Sequence, residues 1–249
     1  MKAAEKNCET LINHLLSFSL NLVRFKGRKQ FSEPCGLTSG FLVTRDGRTY
    51  LLSAGHSMRR KSTWFWETNV ILQEARETLC IPVGPFTLLK SIKLRPENKS
   101  KSSNIDFAWT DFDLDSLKRR FKEDNKLKGH QLELNFYNGP LDCIPILHDE
   151  PYTFAAWNRG TLVPLGSLFL KREAAYETSL QYTGKNRSGN YVFKLARPHM
   201  GHEYYRGASG APISSPEGKI VSMVLGGNMK TNEIYGLPLA AYSHLLSLG

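Results

Sequence analysis

The sequence predicts an all-β protein, folded as barrels or a sandwich, with a short helix at each end. From Leu20 onward, short runs of apolar and β-branched residues alternate with Gly, Asn, Asp and Pro. This alternation is typical of many short strands joined by turns. The two ends lack it, because residues 3–16 and 240–248 place their apolar side chains at helical intervals instead.

The N-terminal helix is predicted from one apolar face. Its members follow one another at the spacing of a helix side: Cys8, Leu11, Ile12, Leu15 and Leu16. We therefore expect a helical extension over residues 1–19, and a short closing helix over residues 240–248.

The strand-like runs fall into two groups. Those of the first half are residues 40–43, 50–52, 70–72 and 105–109; those of the second are 131–136, 219–225 and 235–239. Between two of the first runs, Asp46 and Gly47 are a strong hairpin signal. Residues 113–129 are densely charged and indicate a short helix or a linker, so we predict domains over residues 20–125 and 126–249.

The composition limits the classes of partner. The chain has 249 residues, which suffice for a sizeable core, and a formal net charge of +10. Its densest basic groups, at 59–61 and 118–120, do not form one stripe, so we expect a solvated surface rather than a nucleic-acid interface. No segment is long and apolar enough to span a membrane. The oligomeric state stays open.

The cysteines and the N-terminus bear on localisation. The four cysteines form no CxxC pair and no zinc-like spacing with histidine, which favours buried, reduced thiols and no metal site. A weakly apolar stretch near the N-terminus is followed, not preceded, by basic residues, unlike a signal peptide. The sequence therefore predicts a soluble, cytoplasmic protein without a metal or organic cofactor.

Three local patterns carry candidate chemistry. His56 stands in residues 51–57 (Leu-Leu-Ser-Ala-Gly-His-Ser), where an apolar strand meets small residues. Asp106 lies within the apolar run 104–109 (Asn-Ile-Asp-Phe-Ala-Trp), and Ser209 is enclosed by small residues in 207–213 (Gly-Ala-Ser-Gly-Ala-Pro-Ile). Asp111, Asp113 and Asp115 lie nearby and are alternative candidates for the acid.

Acyl transfer by a serine requires these residue types. A serine hydroxyl needs a base within hydrogen-bond reach, and a histidine titrates near neutrality. An acid behind the imidazole selects its tautomer, and two backbone N–H groups stabilise the oxyanion. Gly207, two residues before Ser209, allows the turn that points its N–H inward, and the second donor is the N–H of Ser209.

These blocks resemble those of the chymotrypsin-like (trypsin-like) serine peptidases. That family carries a small-small-His motif, an Asp-Ile-Ala-type strand and Gly-x-Ser-Gly-Gly-Pro, in the order found here. The gaps of 50 residues from His56 to Asp106, and of 103 to Ser209, are typical of it. One block alone is weak evidence, whereas three in order are strong. The resemblance covers roughly residues 20–239, although only the three blocks and the last strands match well.

The resemblance implies a fold and a function. The fold is two six-stranded antiparallel β-barrels with the active site between them, His56 and Asp106 on the first and Ser209 on the second. The function is endopeptidase cleavage of a protein or peptide substrate through an acyl-enzyme on Ser209. Val224, Leu225 and Gly226 then form the edge that pairs with an extended substrate.

Departures from the family pattern indicate the kind of peptidase. The digestive enzymes of animals place an aspartate before the serine, where it pairs with a newly cut N-terminus, and Ala208 stands there in this chain. Ser57 replaces the usual cysteine after the histidine, and Ala211 replaces the second glycine. Ala208 and the missing disulfides make the chain similar to bacterial and intracellular branches, and activation by N-terminal cleavage is not expected.

Substrate preference is the least determined property. Glu203 lies six residues before Ser209, where trypsin-like relatives carry the acid at the base of the S1 pocket, which suggests Arg or Lys at P1. A loop acid of no consequence is at least as good an interpretation. Val224 occupies the place of the histidine in glutamate-specific relatives, which argues against that specificity. Two alternatives to a peptidase also stay open: a catalytically silent domain that binds protein partners, and an esterase.

Overall fold

The protein is described by a computed structural model over residues 2–25, 34–58, 63–72, 77–89, 105–124, 127, 134–145, 150–158, 161–165 and 167–247. Its elements are α1 (Lys2–Ser17), β1 (Ser19–Phe25), β2 (Pro34–Arg45), β3 (Arg48–Ala54), α2 (Gly55–Met58), β4 (Trp64–Leu72), β5 (Glu77–Val83), β6 (Thr87–Leu88), β7 (Phe107–Asp111), α3 (Leu114–Glu123), β8 (Pro151–Trp157), β9 (Thr161–Leu165), β10 (Ser167–Lys171), β11 (Ala174–Lys185), β12 (Tyr191–Lys194), β13 (Pro212–Ser214), β14 (Ile220–Asn228) and β15 (Glu233–Pro238). The predicted basic group at 59–61, the domain boundary at 125–126 and residues 131–133 of a predicted strand lie outside these ranges.

The first half is an antiparallel sheet of seven strands in the order β5-β4-β1-β2-β3-β7-β6. This is one strand more than predicted, and no pairing between described residues joins β5 to β6. The predicted Asp46-Gly47 hairpin connects β2 and β3, and both residues have positive φ, as a tight two-residue turn requires. The β3 strand ends beside β7, where Ala54 pairs with Phe107.

The second half is a closed barrel of six strands, as predicted, in the order β11-β12-β15-β14-β13-β8. Side chains alternate between core and solvent along β11, which is the pattern of a strand buried on one face. The separate hairpin β9–β10 lies outside the barrel. Aromatic rings dominate the barrel interior, with Tyr152, Phe154, Tyr191 and Phe193 all fully buried.

The helix α1 follows the prediction closely and docks on the molecule. Leu15 and Leu16 are buried in a core that also holds Phe41 of the first half and Met223 of the second. The indole N–H of Trp157 donates to the carbonyl of Leu16 over 3.1 Å, which fixes the end of the helix to β8. The predicted N-terminal extension is therefore part of the contact between the two halves.

The predicted closing helix is present as two short 3-10 helices, Leu239–Ala241 and Ser243–Ser247, which bury Leu239 and Leu246. Two sequence predictions need correction. Of the predicted strand at 131–136, the described residues 134–136 belong to no strand, and the next residue, Tyr137, makes a single bridge to Val43. The thiols predicted to be buried are exposed at Cys35 and half-buried at the other three positions.

Candidate active site

The histidine block lies where β3 runs into the short helix α2. The N–H of Gly55 donates to the carbonyl of Asp106 over 3.1 Å, which continues the pairing of β3 with the segment entering β7. A Cβ at position 55 would lie 3.2 Å from Oδ1 of Asp106 and 3.0 Å from the N of Phe107. Glycine therefore allows the histidine segment to approach the acid this closely.

The structure brings His56 and Asp106 together. Nδ1 of His56 lies 2.7 Å from Oδ2 of Asp106, and the backbone N–H of His56 donates to Oδ1 of the same carboxylate. An ionised carboxylate only accepts hydrogen bonds, so Nδ1 carries a proton and Nε2 is the basic nitrogen of the neutral ring. Asp106 itself precedes β7 rather than lying within a strand.

Two of the other nearby acids have partners of their own, and the third, Asp115, lies in the first turn of α3. Asp111 forms an exposed ion pair with Arg48 at 3.1 Å. Asp113 is the N-cap of α3, where its side chain accepts from the N–H of Ser116 over 2.9 Å. Of the candidate acids near His56, the hydrogen bonds therefore single out Asp106.

Ser209 stands in a sharp turn at the entrance to β13. The glycines on either side, Gly207 and Gly210, have φ of 89° and 91°, in the left-handed region that favours glycine. A Cβ at position 210 would overlap the carbonyl oxygen of Ser39. The Oγ of Ser209 donates to the carbonyl of Leu225 over 3.2 Å, and no hydrogen bond between described atoms joins it to His56.

The serine turn is held by the first half of the molecule. The carbonyl of Ser209 accepts from the N–H of Ser39 and from Oγ1 of Thr38, both over 2.7 Å. The same Thr38 hydroxyl shares a hydrogen bond of 3.0 Å with the hydroxyl of Ser57, which follows His56. Thr38 thus links the histidine block to the serine block. The sequence predictions missed it, because a Thr-Ser-Gly run within a strand gives no distinctive signal.

The backbone N–H groups around Ser209 differ in whether they already form hydrogen bonds. The N–H of Ala208 is used internally, donating to the carbonyl of Tyr205 over 3.0 Å, and that of Gly210 donates to the carbonyl of Val224 over 2.7 Å. The N–H groups of Gly207 and Ser209 have no hydrogen-bond partner in the part of the chain that the structure describes. They remain available for an oxyanion.

Among the described residues, the predicted substrate strand has no partner on one side beyond the serine turn. In this part of the chain, the strand β14 pairs with β13 as far as Met223, and from Gly226 to Asn228 it pairs with β15 alone. Val224 is buried and uses its N–H and carbonyl on Ala211 and Gly210, so it supports the turn. Leu225 and Gly226 are half-buried, and a Cβ at Gly226 would meet no atom within 4 Å.

Glu203 lies at the surface. Its side chain is 83% exposed and pairs with Arg206 at 3.5 Å. The buried acid of this region is Glu177 on β11, which binds Arg197 and the hydroxyl of Tyr205. The sequence predictions missed these three residues because they lie 20 and 28 positions apart in the chain and match no motif.

Two further classes of site are absent from the described chain. No group of three or more His, Cys, Asp or Glu side chains is placed there to hold a metal ion. Among the same residues, no helix combines the length and the apolar character needed to cross a membrane.

Solved structures share this arrangement of strands. The serine endoprotease from Yersinia pestis aligns with 96% of this chain at a TM-score of 0.52 and 11% identity, and the chain spans 65% of that protein's length. Human heparin binding protein aligns with 94% of this chain and across 91% of its own length, at a TM-score of 0.55 and 13% identity. An inactivated protease paralogue of the scabies mite aligns with 95% of this chain and across 92% of its own length, at a TM-score of 0.57 and 9% identity.

These likenesses establish the fold. No family model and no curated protein matches the sequence, and at such identities a structural match carries no function. The chain has the chymotrypsin-like double-barrel fold of the serine proteases, as predicted. The matches include an endoprotease and an inactivated paralogue, so the fold alone does not decide whether this chain is an enzyme.

Proposed function

We propose that the protein is a serine endopeptidase that cleaves protein or peptide substrates through an acyl-enzyme on Ser209. His56 takes the hydroxyl proton as Oγ bonds to the scissile carbonyl carbon. It then returns that proton to the leaving amine as the C–N bond breaks. Asp106 orients the imidazole, and the N–H groups of Gly207 and Ser209 stabilise the oxyanion. In the second half of the reaction, His56 takes a proton from a water whose oxygen bonds to the acyl carbon, and it returns that proton to Oγ of Ser209 as the ester C–O bond breaks.

The observation that carries the proposal is the His56–Asp106 pair. Both carboxylate oxygens engage His56, one at the ring over 2.7 Å and one at the backbone N–H. This arrangement makes Nε2 the basic nitrogen, and no described residue forms a hydrogen bond with it, so it is available to act as a general base. Attack then requires the Ser209 hydroxyl to leave the Leu225 carbonyl and donate to Nε2 instead.

Labelling with a fluorophosphonate probe tests the proposal. We expect the wild-type protein to be labelled and Ser209→Ala to be silent, because the probe phosphonylates an activated serine. Ser188→Ala, which changes an exposed turn serine, is the matched control and should label like the wild type. Absence of labelling in the wild type at every pH between 5 and 9 would overturn the proposal.

The alternative is a catalytically silent domain that binds protein partners. It is favoured by the Ser209 hydroxyl, which donates to the Leu225 carbonyl and not to His56. An unlabelled wild type that still captures a protein partner supports this alternative. An esterase on the same residues is separated from a peptidase by comparing matched ester and peptide substrates, since only a peptidase hydrolyses both.

The P1 preference is a separate proposal. Glu203 at the base of an S1 pocket would favour Arg or Lys at P1, whereas its exposure and its pairing with Arg206 favour a loop acid. We therefore expect Glu203→Gln to leave the ranking of peptides with P1 Arg, Leu and Glu unchanged. A selective loss of P1-Arg cleavage in this variant would restore the pocket interpretation.

The proposal includes a cytoplasmic location. It is supported by the four cysteines, none of which forms a disulfide in the part of the chain that the structure describes. Reducing compartments keep thiols in this state. Alkylation of the protein in intact cells, without prior reduction, should modify all four thiols. Recovery of any of them as a disulfide would contradict the location.

A further inference from the structure

The segment that carries the oxyanion donors depends on contacts outside itself. We define the serine loop as residues 202–209, a run of turns that ends at Ser209. Between its own backbone groups it has two hydrogen bonds, from Arg206 to Glu203 over 3.3 Å and from Ala208 to Tyr205 over 3.0 Å. The direction of the Gly207 and Ser209 N–H groups is therefore set by what the loop rests on.

One support comes from the first half of the molecule. The hydroxyl of Ser39 donates to the carbonyl of Gly207 over 2.7 Å, and its N–H donates to the carbonyl of Ser209 over the same distance. These bonds fix the C-terminal end of the serine loop. They do not involve the preceding turn at Tyr205, which needs a separate support.

The second support is Tyr205. Its hydroxyl donates to Oε1 of Glu177 over 2.6 Å, a short bond of the charge-assisted kind. Its half-buried ring packs edge-on against His199, with ring centroids 4.5 Å apart, and against Phe154 at 6.1 Å. Because Tyr205 lies two residues before Gly207, its position determines where the oxyanion turn begins.

Glu177 is itself fixed by a cation. Its side chain is 3% exposed, and Arg197 donates to both carboxylate oxygens through Nε and Nη2 over 3.0 Å each. The Arg197 guanidinium also lies 5.7 Å from the ring of Tyr204, whose hydroxyl donates to the carbonyl of Tyr176 over 3.1 Å. The carboxylate is thus held in one orientation, with a lone pair directed at Tyr205.

The position next to the serine supplies no charge. Ala208 is 2% exposed and packs in the core of the second barrel. The buried carboxylates among the described residues belong to Glu67 and Glu177, and only Glu177 bonds to the serine loop. A buried, paired carboxylate is costly unless its hydrogen bonds are complete, and Tyr205 completes those of Glu177.

We propose that Glu177, held by Arg197 and acting through Tyr205, is a positioning residue that sets the oxyanion donors of this chain. The inference rests on the proposed function, since it assigns a role in the same reaction. Burial and the neighbouring Glu177 raise the pKa of the Tyr205 hydroxyl above its usual range, so the hydroxyl remains a donor throughout the neutral range.

The test compares Tyr205→Phe with Tyr152→Phe. Each change removes one tyrosine hydroxyl bonded to a glutamate in the same barrel, at 2.6 Å to Glu177 and at 2.8 Å to Glu150, but only the first touches the serine loop. We expect Tyr205→Phe to lower kcat on a fluorogenic substrate about tenfold or more, with KM little changed, because the oxyanion donors act in the transition state. Tyr152→Phe should keep the wild-type kcat.

A second measurement separates positioning from folding. Backbone amide exchange should accelerate across the serine loop in Tyr205→Phe and remain unchanged in Tyr152→Phe. Glu177→Gln, which keeps an acceptor for Tyr205, should retain more activity than Glu177→Ala. Equal kcat in the two tyrosine variants, with equal exchange in the loop, overturns the inference alone. Failure of the wild type to react with fluorophosphonate overturns the proposed function and the inference with it.

Discussion

The two carboxylate oxygens of Asp106 form hydrogen bonds with two different groups of the same residue, His56. One accepts from the His56 ring and the other from the His56 backbone N–H. An asparagine offers one acceptor and one donor in their place, and a donor facing Nδ1 favours the tautomer whose Nε2 is already protonated. In the proposed mechanism, replacing one carboxylate oxygen of Asp106 by an amide nitrogen would therefore leave Ser209 without a base.

For Asp106→Asn we accordingly expect kcat to fall by roughly four orders of magnitude while the fold is retained. The measurement is kcat on a peptide or ester substrate, with the thermal midpoint followed in parallel. Asp111→Asn, which alters the neighbouring acid paired with Arg48, is the control and should keep the wild-type kcat. A loss of less than tenfold in Asp106→Asn would assign the acid elsewhere.

Gly210 allows the serine turn to touch the first half of the molecule. Its φ of 91° and the contact with the Ser39 carbonyl both exclude a side chain. We expect Gly210→Ala to lower the free energy of unfolding by about 2 kcal/mol or more. Gly47→Ala, at φ 77° with nothing within 4 Å of the new Cβ, should lose only about 1 kcal/mol. Urea unfolding of both variants measures the difference, and equal losses would show that the contact is unimportant.

At the scale of elements, α1 contributes to the core through its last turn. Leu15 is fully buried, whereas Asn13 on the same helix is exposed. We expect Leu15→Ala to cost about 2–5 kcal/mol of unfolding free energy, from lost transfer energy and an unfilled cavity. Asn13→Ala should be neutral by comparison. Equal midpoints in urea for the two variants would mean that α1 docks loosely.

The edge of β14 that no described strand pairs with is the second feature with a testable role. A Cβ at Gly226 would meet no atom within 4 Å, so the first atom of a side chain has room there, on the strand that we propose binds the substrate. We expect Gly226→Val to keep the wild-type stability and to raise KM for peptides about tenfold, equivalent to about 1.4 kcal/mol of binding. An unchanged KM would place the substrate on another edge.

At the scale of the whole molecule, a buried ion pair crosses between the halves. Arg172, between β10 and β11, donates to the carbonyl of Glu67 on β4 over 2.6 Å and lies 3.4 Å from its carboxylate, which also accepts from Asn21. Desolvation by burial lowers the pKa of the Arg172 guanidinium, and the Glu67 carboxylate opposes that shift.

Neutralising this carboxylate leaves a buried guanidinium without its counter-charge. We expect Glu67→Gln to cost about 3–5 kcal/mol of unfolding free energy, since breaking one partner of a buried pair is more damaging than replacing both. Glu173→Gln removes an exposed pair with Lys171 and should give no measurable change. Chemical denaturation measures both, and a loss below 1 kcal/mol for Glu67→Gln would show that water reaches the site.

How much the sequence could predict differs between local and distant features. The 46–47 hairpin, the helix α1 and the three blocks around His56, Asp106 and Ser209 are encoded in short stretches whose patterns have direct physical causes. Those predictions needed no knowledge of the tertiary pairing. The predicted fold rests on the order of the blocks, and the structure and its neighbours confirm it.

The remaining features depend on residues far apart in the chain. Glu177 meets Tyr205 across 28 positions, and Arg172 meets Glu67 across 105. Thr38 reaches the Ser209 carbonyl across 171 positions. No periodicity or spacing predicts such contacts, because they arise only after distant parts of the chain have packed together, within one half for Glu177 and Tyr205 and between the halves for the other two. The same reason explains Glu203, whose position before the serine suggested a pocket and whose side chain faces solvent.

The two donors that Thr38 and Ser39 direct at the Ser209 carbonyl belong to the opposite half from the serine itself. The orientation of the serine turn is therefore a property of the contact between the halves and of neither half alone. If Ser209 is the nucleophile proposed above, separating the two halves would remove these two hydrogen bonds and disturb its alignment even where each set of strands stays paired.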